Sequence, residues 1–205
     1  RNLLLSDVFA FDSPTGKGVV GVVEGRRLAL GNARFLRELG IDTQPLEAES
    51  ERLRSEGATA IFLAADAKPA AVLAIADPVK TTTPDALAAL AKERMHVVML
   101  TGDNKTTARA VAQRLGITEV EAEVLPDQKS AVVEKLRREG RVVAMAGDGV
   151  NDAPALAAAE VGIAMGTGTD VAIESAGVTL LKGDLTGIVR ARRLSEATMR
   201  NIRQN

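Results

Sequence analysis

Val142-Val143-Ala144-Met145-Ala146 runs directly into Gly147-Asp148-Gly149-Val150-Asn151-Asp152, and Ala153-Pro154-Ala155-Leu156 follows. Five consecutive apolar residues ending at a glycine suit a strand buried on both faces. The loop after them concentrates two carboxylates, an amide and two glycines, and the proline just beyond it fits the first turn of a helix. Strand, acidic loop and helix in that order form the repeating unit of a parallel α/β sheet. Ligands of such sheets bind outside the carboxyl ends of the strands.

The same grammar holds on both sides of this stretch. Thr83-Pro84 predicts a helix opened by a cap residue and a proline, with Leu87, Leu90 and Ala91 as its apolar stripe. Val97-Val98-Met99-Leu100 is a short strand, and the next helix places Ala108, Val111, Ala112 and Leu115 on one face before Gly116. Pro126 opens another helix with Val132, Val133 and Leu136 inward and Gly140 as its stop. Val161 to Met165 and Val178 to Leu181 add two further strands. Alternation of this kind predicts a doubly wound parallel sheet.

Before residue 77 the pattern is different. Val19 to Val23 and Arg26 to Leu30 flank Glu24-Gly25 as a β-hairpin, and the apolar runs 60–64 and 70–75 flank a second turn around Asp66-Ala67-Lys68-Pro69. Asn32 to Leu39 has helical spacing and stops at Gly40, and Pro45 to Ser55 is a second helix. The expected organisation is an antiparallel α+β unit over 1–76, an α/β unit over 77–190 and a connecting segment over 191–205.

Two acidic loops follow parallel strands, Thr101-Gly102-Asp103-Asn104 and the loop of Asp148, Asn151 and Asp152. On one rim of one sheet they would converge on a single ligand. Asp148 and Asp152 are hard oxygen donors of the kind magnesium takes alongside phosphate. Gly147 and Gly149 leave backbone amides open to close approach. Lys129, beside a helix start, could balance phosphoryl charge. Each piece has a plainer alternative: Thr-Gly-Asp-Asn is an ordinary turn or helix cap, and Lys129 a solvated helix residue. Gly16-Lys17-Gly18-Val19-Val20-Gly21 fits G-x-G-x-x-G but runs into a hairpin rather than a helix, which rules out a dinucleotide fingerprint. It remains either a turn before a strand or a flat platform for an adenine ring.

Composition narrows the chemistry further. The net charge is −1, and there are four phenylalanines with no tyrosine or tryptophan. That leaves no basic excess and no stacking surface for nucleic acid. No cysteine and a single histidine, His96, leave only oxygen ligands for a metal. No apolar run approaches the roughly 20 residues of a membrane span, so the chain is expected to be soluble and intracellular.

The run Gly147 to Leu156, preceded by Thr101-Gly102-Asp103-Asn104 and Asp77-Pro78, resembles the P-type ATPases. Gly16-Lys17-Gly18, Gly31-Asn32 and the ending Ala197 to Asn205 are similar to the heavy-metal, copper-type branch. The resemblance covers essentially the whole chain. It implies a haloacid-dehalogenase-like phosphorylation domain joined to part of a nucleotide-binding domain, at the cytoplasmic face of a membrane. Gly16, Gly18, Gly31 and Asn32 would serve the adenosine pocket. Asp103 would hold nucleotide, Thr101 would bond the phosphoryl group and Lys129 would stabilise its charge. Asp148 would hold magnesium, with Asn151 and Asp152 completing the site. ATP and Mg2+ are the implied cofactors, and phosphorylation of an aspartate would drive export of a metal ion, copper by the style of the ending. The family's D-K-T-G-T strand, actuator domain, membrane helices and transported-metal site are not found in this sequence. They are therefore the implied partners, and this chain alone is expected to be inactive. A soluble phosphatase of the same fold, or a non-catalytic nucleotide-binding module, is the competing reading.

Overall fold

The computed structural model describes residues 5–14, 16–148, 150–166 and 173–204. They form two compact units, one comprising residues up to Asp77 together with Asn104–Val111, the other Pro78–Asp103 with the residues from Ala112 onward.

The first unit is built on one antiparallel sheet whose strands lie in chain order, β1 (Val8–Asp12), β2 (Gly18–Val23), β3 (Arg26–Gly31), β4 (Thr59–Ala65) and β5 (Lys68–Ile75). Both expected hairpins are present, and both close through two-residue turns. Val23 pairs with Arg26 across Glu24 and Gly25, at φ 51° and 77°. Ala65 pairs with Lys68 across Asp66 and Ala67, at φ 51° and 61°. Turns of this type need a left-handed backbone at both central residues because their twist then matches that of the strands. Glycine meets that demand without strain, whereas Ala67 does so at a cost of about 1–2 kcal/mol. Asp66 offsets part of it by accepting the Arg27 N–H at 3.0 Å and the Arg26 Nε–H at 2.9 Å.

Two helices, α1 (Ala33–Glu38) and α2 (Glu47–Ser55), pack on β3 and β4. Asn32 caps α1 by accepting the Phe35 N–H at 2.8 Å, and Gly40 ends the turn at φ 76°. The helix expected from Pro45 is a 3-10 turn, Gln44–Leu46, before α2 begins. Along β4 every second residue is buried, so Ala60, Phe62 and Ala64 face inward. Phe62 joins Phe35, Leu36 and Ile41 in the core of this unit. Phe62 and Leu36 are fully enclosed, each contributing about 1.5–3 kcal/mol by burial.

The second unit contains α3 (Thr83–Lys92) and β6 (Val98–Leu100), and α4 (Lys105–Leu115) is divided between the units. There follow β7 (Glu119–Glu121), α5 (Lys129–Arg138), β8 (Ala144–Gly147), α6 (Ala153–Ala158), β9 (Val161–Met165), β10 (Val178–Leu180) and α7 (Thr186–Gln204). Every strand pair is parallel, as the α/β grammar requires. One continuous sheet was expected; among the described residues the strands form two, β6-β7 and β10-β9-β8.

Four local expectations shift. Thr82 rather than Thr83 occupies the N-cap position of α3, its hydroxyl donating to Asp184 instead of capping, and Ala86 rather than Ala91 joins Leu87 and Leu90 on the buried stripe. The helix expected from Pro126 begins as a 3-10 turn, Pro126–Gln128, before α5. The strand expected to be wholly buried over 142–146 starts at Ala144 and lies at a sheet edge, with Val142 87% exposed. Strand β1 was not anticipated, and neither was β7. Its ends are Glu119, held by Arg141 at 3.0 Å and His96 at 2.6 Å, and Glu121, held by Lys135 at 3.0 Å. Arg141 first, then His96, keep the Glu119 carboxyl below its ordinary range.

Candidate functional site: a lysine–aspartate pair at a strand end

Lys129 opens α5 and Asp152 precedes α6, and their side chains meet at 2.6 Å between Nζ and Oδ1. An ammonium in the first turn of a helix faces the positive end of the helix dipole. Asp152 supplies the compensating charge. Lysine and aspartate keep only 19% and 10% of their side-chain surface exposed, so solvent screens the pair weakly.

Gly147, the last residue of β8, makes the space for this contact. A Cβ there would lie 2.6 Å from Asp152 Oδ2 and 2.7 Å from its Cβ, distances no real side chain tolerates. The glycine expected to open a phosphate path is thus required by packing of the aspartate. Asp148, the next residue, is exposed, as is Asn151 in the 3-10 turn Val150–Asp152. Gly149, whose amide was expected to approach a phosphate, lies outside the described residues.

The other acidic loop is organised by its own bonds. The Thr101 hydroxyl donates to Asp103 Oδ2 at 3.0 Å and accepts the Asp103 N–H at 3.1 Å. The following strand segment stitches the loop in place: Thr101 N–H donates to Glu121 O, Val124 N–H to Thr101 O and Glu123 N–H to Asp103 O, all within 3.1 Å. Asn104 Oδ1 accepts the Thr106 N–H at 2.8 Å, which makes it the cap of α4. The plainer alternative for this tetrapeptide, a turn and cap, therefore describes its bonding. To bond a phosphoryl oxygen, the Thr101 hydroxyl has to turn from Asp103.

In the first unit Gly18 pairs with Gly31 across β2 and β3, and the Asn32 N–H donates to Lys17 O at 3.3 Å. Gly16 sits in the preceding turn at φ 72°. The four residues expected to serve an adenosine pocket are therefore neighbours. Phe35 is the residue the sequence reading passed over. Its ring stands 2.7 Å from the Cβ position of Gly18 and 2.6 Å from that of Gly31, so both glycines are needed to admit it. Lys17 pairs with Glu38 at 2.6 Å beside them, and this lysine holds the Glu38 carboxyl below its ordinary range.

Magnesium is compatible with the donor set. Asp148 presents an exposed carboxylate, and among the described residues no group of three or more His, Cys, Asp or Glu side chains could enclose an ion. A magnesium site completed by water and phosphate oxygens needs only one or two protein carboxylates. Asp152, expected as a second ligand, spends Oδ1 on Lys129.

A sequence model of haloacid dehalogenase-like hydrolases matches residues 6–160. Over all 205 residues the chain is 58% identical to a copper-exporting P-type ATPase of Legionella pneumophila and 60% identical to a silver-exporting P-type ATPase of Salmonella typhimurium. It spans about a quarter of the length of these curated relatives, 28% and 25%. Among solved structures, a zinc-transporting PIB-type ATPase in its E2.Pi state superposes with a TM-score of 0.68 at 34% identity, covering 98% of this chain and 32% of that one. The catalytic domain of the CPx-ATPase CopB-B gives 0.65 at 25% identity, covering 93% and 66%. The α/β class and the likeness to heavy-metal P-type ATPases, both expected from the motifs, hold in these comparisons.

Proposed function

The chain belongs to the haloacid dehalogenase-like hydrolase family, and on that premise we propose that it is the ATP-handling part of a P-type ATPase that exports copper or a similar soft cation. The observation that carries this reading is the Lys129–Asp152 pair, fixed at the end of a parallel strand beside exposed Asp148. Similarity to copper and silver exporters over all 205 residues of this chain supports the cargo. A soluble phosphatase of the same family fits less well, because its whole-chain relatives would not be cation exporters.

In the proposed reaction the terminal phosphoryl group of ATP passes to an aspartate carboxylate, with ADP as leaving group. Water then cleaves the acyl phosphate and releases inorganic phosphate. Lys129 offsets the negative charge that collects on the phosphoryl oxygens, and Asp152 keeps its ammonium oriented between substrates. Thr101 rotates from Asp103 to donate to a phosphoryl oxygen, Asp103 would hold nucleotide, and the backbones of Thr101 and Asp103 keep the loop in register with 121–124. Asp148, with Asn151 beside it, would hold magnesium, which when bound supplies Lewis-acid stabilisation of the phosphoryl charge. Gly16, Gly18, Gly31 and Asn32 would receive the adenosine.

The accepting aspartate is proposed to lie in a D-K-T-G-T segment, which the 205 residues do not contain. The chain alone is then expected to bind nucleotide and turn none over. The test pairs two measurements: nucleotide titration of the purified chain, and intact mass after incubation with magnesium and ATP or acetyl phosphate. Saturable binding without a phosphoryl adduct is expected. Magnesium-dependent hydrolysis by the chain itself would refute the reading.

A further inference from the structure

Asn32, Phe35 and Glu38 recur at three-residue intervals along α1, and each is tied to the glycine turn beside it. Residues so spaced share one side of a helix. The Asn32 side chain accepts the Phe35 N–H at 2.8 Å, and its own N–H donates to Lys17 O at 3.3 Å. Glu38 holds the Lys17 ammonium at 2.6 Å. Between these two ties the Phe35 ring abuts both glycines of the β2–β3 pairing. Its Cδ1 stands 2.7 Å from the Cβ position of Gly18 and 2.6 Å from that of Gly31. Phe35 is 5% exposed and belongs to the core with Leu36, Ile41 and Phe62.

Successive residues of a strand face opposite sides of its sheet. Gly18 and Gly31 lie two residues along from Val20 and Ala29, which pack into that core. The missing side chains of the two glycines therefore point inward, where the ring and the adjoining backbone fill their space. A Cβ on Gly18 would also lie 2.3 Å from Leu30 O, and one on Gly31 2.7 Å from Lys17 O. A ligand has to meet these glycines from the other side, so Phe35 acts on it through them. The ring decides how closely the ends of the two strands approach and how the 16–18 turn is presented. A branched aliphatic side chain in its place leaves part of that space empty, and the turn settles toward the gap.

We propose that Phe35 is a positioning residue of the nucleotide site, setting the geometry of Gly16, Gly18, Gly31 and Asn32 without touching the ligand. This rests on the reading of those four residues as the adenosine pocket. The test is calorimetric titration of the 205-residue chain with ATP and with AMP, which share the adenosine. Phe35→Leu keeps the core apolar and nearly filled. If it leaves the turn in its binding shape about a tenth of the time, Kd rises about tenfold, by the same factor for both ligands. Ile41→Ala is the control, because it empties part of the same core while the groups nearest both glycines remain Phe35 and backbone. It should lower the melting temperature at least as far as Phe35→Leu and leave Kd unchanged. Should Phe35→Leu be too unstable to titrate, Phe35→Met, close in volume and flexible, takes its place. No binding by the unsubstituted chain would remove the reading of the pocket and this proposal with it. Binding that Phe35→Leu leaves unchanged, or an equal loss in Phe35→Leu and Ile41→Ala, would overturn the proposal alone.

Discussion

In the first unit five strands form one ladder with neighbours adjacent in sequence, while the strands of the second are divided between β6-β7 and β10-β9-β8. In the first unit β2-β3 and β4-β5 close through two-residue turns, so those pairings are decided locally, and only β3-β4 waits on the helices between them. Parallel strands have no such local device: each must be delivered by a crossover helix and finds its place only against a neighbour already there. We propose that one further strand lies between β6 and β8 and joins the two sheets. We attribute that place to the D-K-T-G-T strand of the proposed transporter. This attribution makes the two units differ in what they need from the rest of the protein.

The largest effect should be catalytic and confined to the second unit. In a longer protein that includes the accepting aspartate, Asp148→Asn or Lys129→Ala should lower phosphoenzyme formation by at least about a hundredfold. Nucleotide affinity, assigned to the glycines of the first unit, should stay within about twofold. Rapid-quench labelling and titration of a nucleotide analogue measure the two quantities separately, and equal losses in both would break the division.

Next comes stability. Phe62→Ala in the first unit should cost about 3–5 kcal/mol by leaving a cavity among Phe35, Leu36 and Ile41. Hydrogen exchange should show the loss in β3 and β4 before the amides of β8 and β9. The second unit should respond to something the first ignores. A peptide or co-expressed piece carrying the D-K-T-G-T strand should raise its melting temperature, because a short buried strand brings several side chains worth about 1.5–3 kcal/mol each. A cooperative, high-temperature melt of the monomeric chain without that strand would show that the sheet closes otherwise.

A smaller effect separates charge from shape at the site. Asp152→Asn alone should destabilise at or below the low end of about 3–5 kcal/mol, since it strands an ammonium in a place with little water. Replacing both partners, Lys129→Met with Asp152→Leu, should recover most of that loss in denaturant melts. Failure to recover would mean that the pair stabilises by more than mutual neutralisation.

Acid should produce the smallest change. The Thr186 backbone N–H, with help from the Thr82 hydroxyl, holds the Asp184 carboxyl below its ordinary range. In the first unit Arg26 does the same for Asp66. A carboxyl depressed in the folded state contributes stability that is complete above its unfolded pKa and disappears as pH falls through the folded one. Melting temperature should therefore hold down to about pH 4 and drop below it. Asp184→Asn should flatten the drop in the second unit alone, as read from exchange of amides in α7.

The sequence exposed the first unit more fully than the second, for reasons visible in single residues. Glu24-Gly25 announced a turn whose backbone demands glycine. Asp66-Ala67 was found through its aspartate and flanking apolar runs, although alanine gives no hint of a left-handed φ. Strand β7 escaped because Glu-Val-Glu has no apolar run; its charges are spent on Arg141, His96 and Lys135, partners that only tertiary structure provides. Val142 read as core because a run of apolar residues implies burial, but the ladder begins two residues later at a sheet edge. At the candidate site, residue types marked the loops. The contact between Lys129 and Asp152 lay beyond pattern, since it joins the starts of two helices 23 residues apart. Likewise, nothing in Gly18 and Gly31 tells a reader that a phenylalanine ring occupies their missing side-chain positions.

Gly147 invites one more conclusion, about information rather than energy. The bridge between Lys129 and Asp152 is written at three positions, and the third bears no charge. A survey of ionisable residues across related chains would score Gly147→Ala as silent, since both ends of the bridge remain. Yet the added methyl group would claim the place where Asp152 Oδ2 now sits, 2.6 Å from its centre. The aspartate would have to move, and its hold on the lysine with it. The instruction that keeps the two charges together is, at that position, an instruction to leave a space.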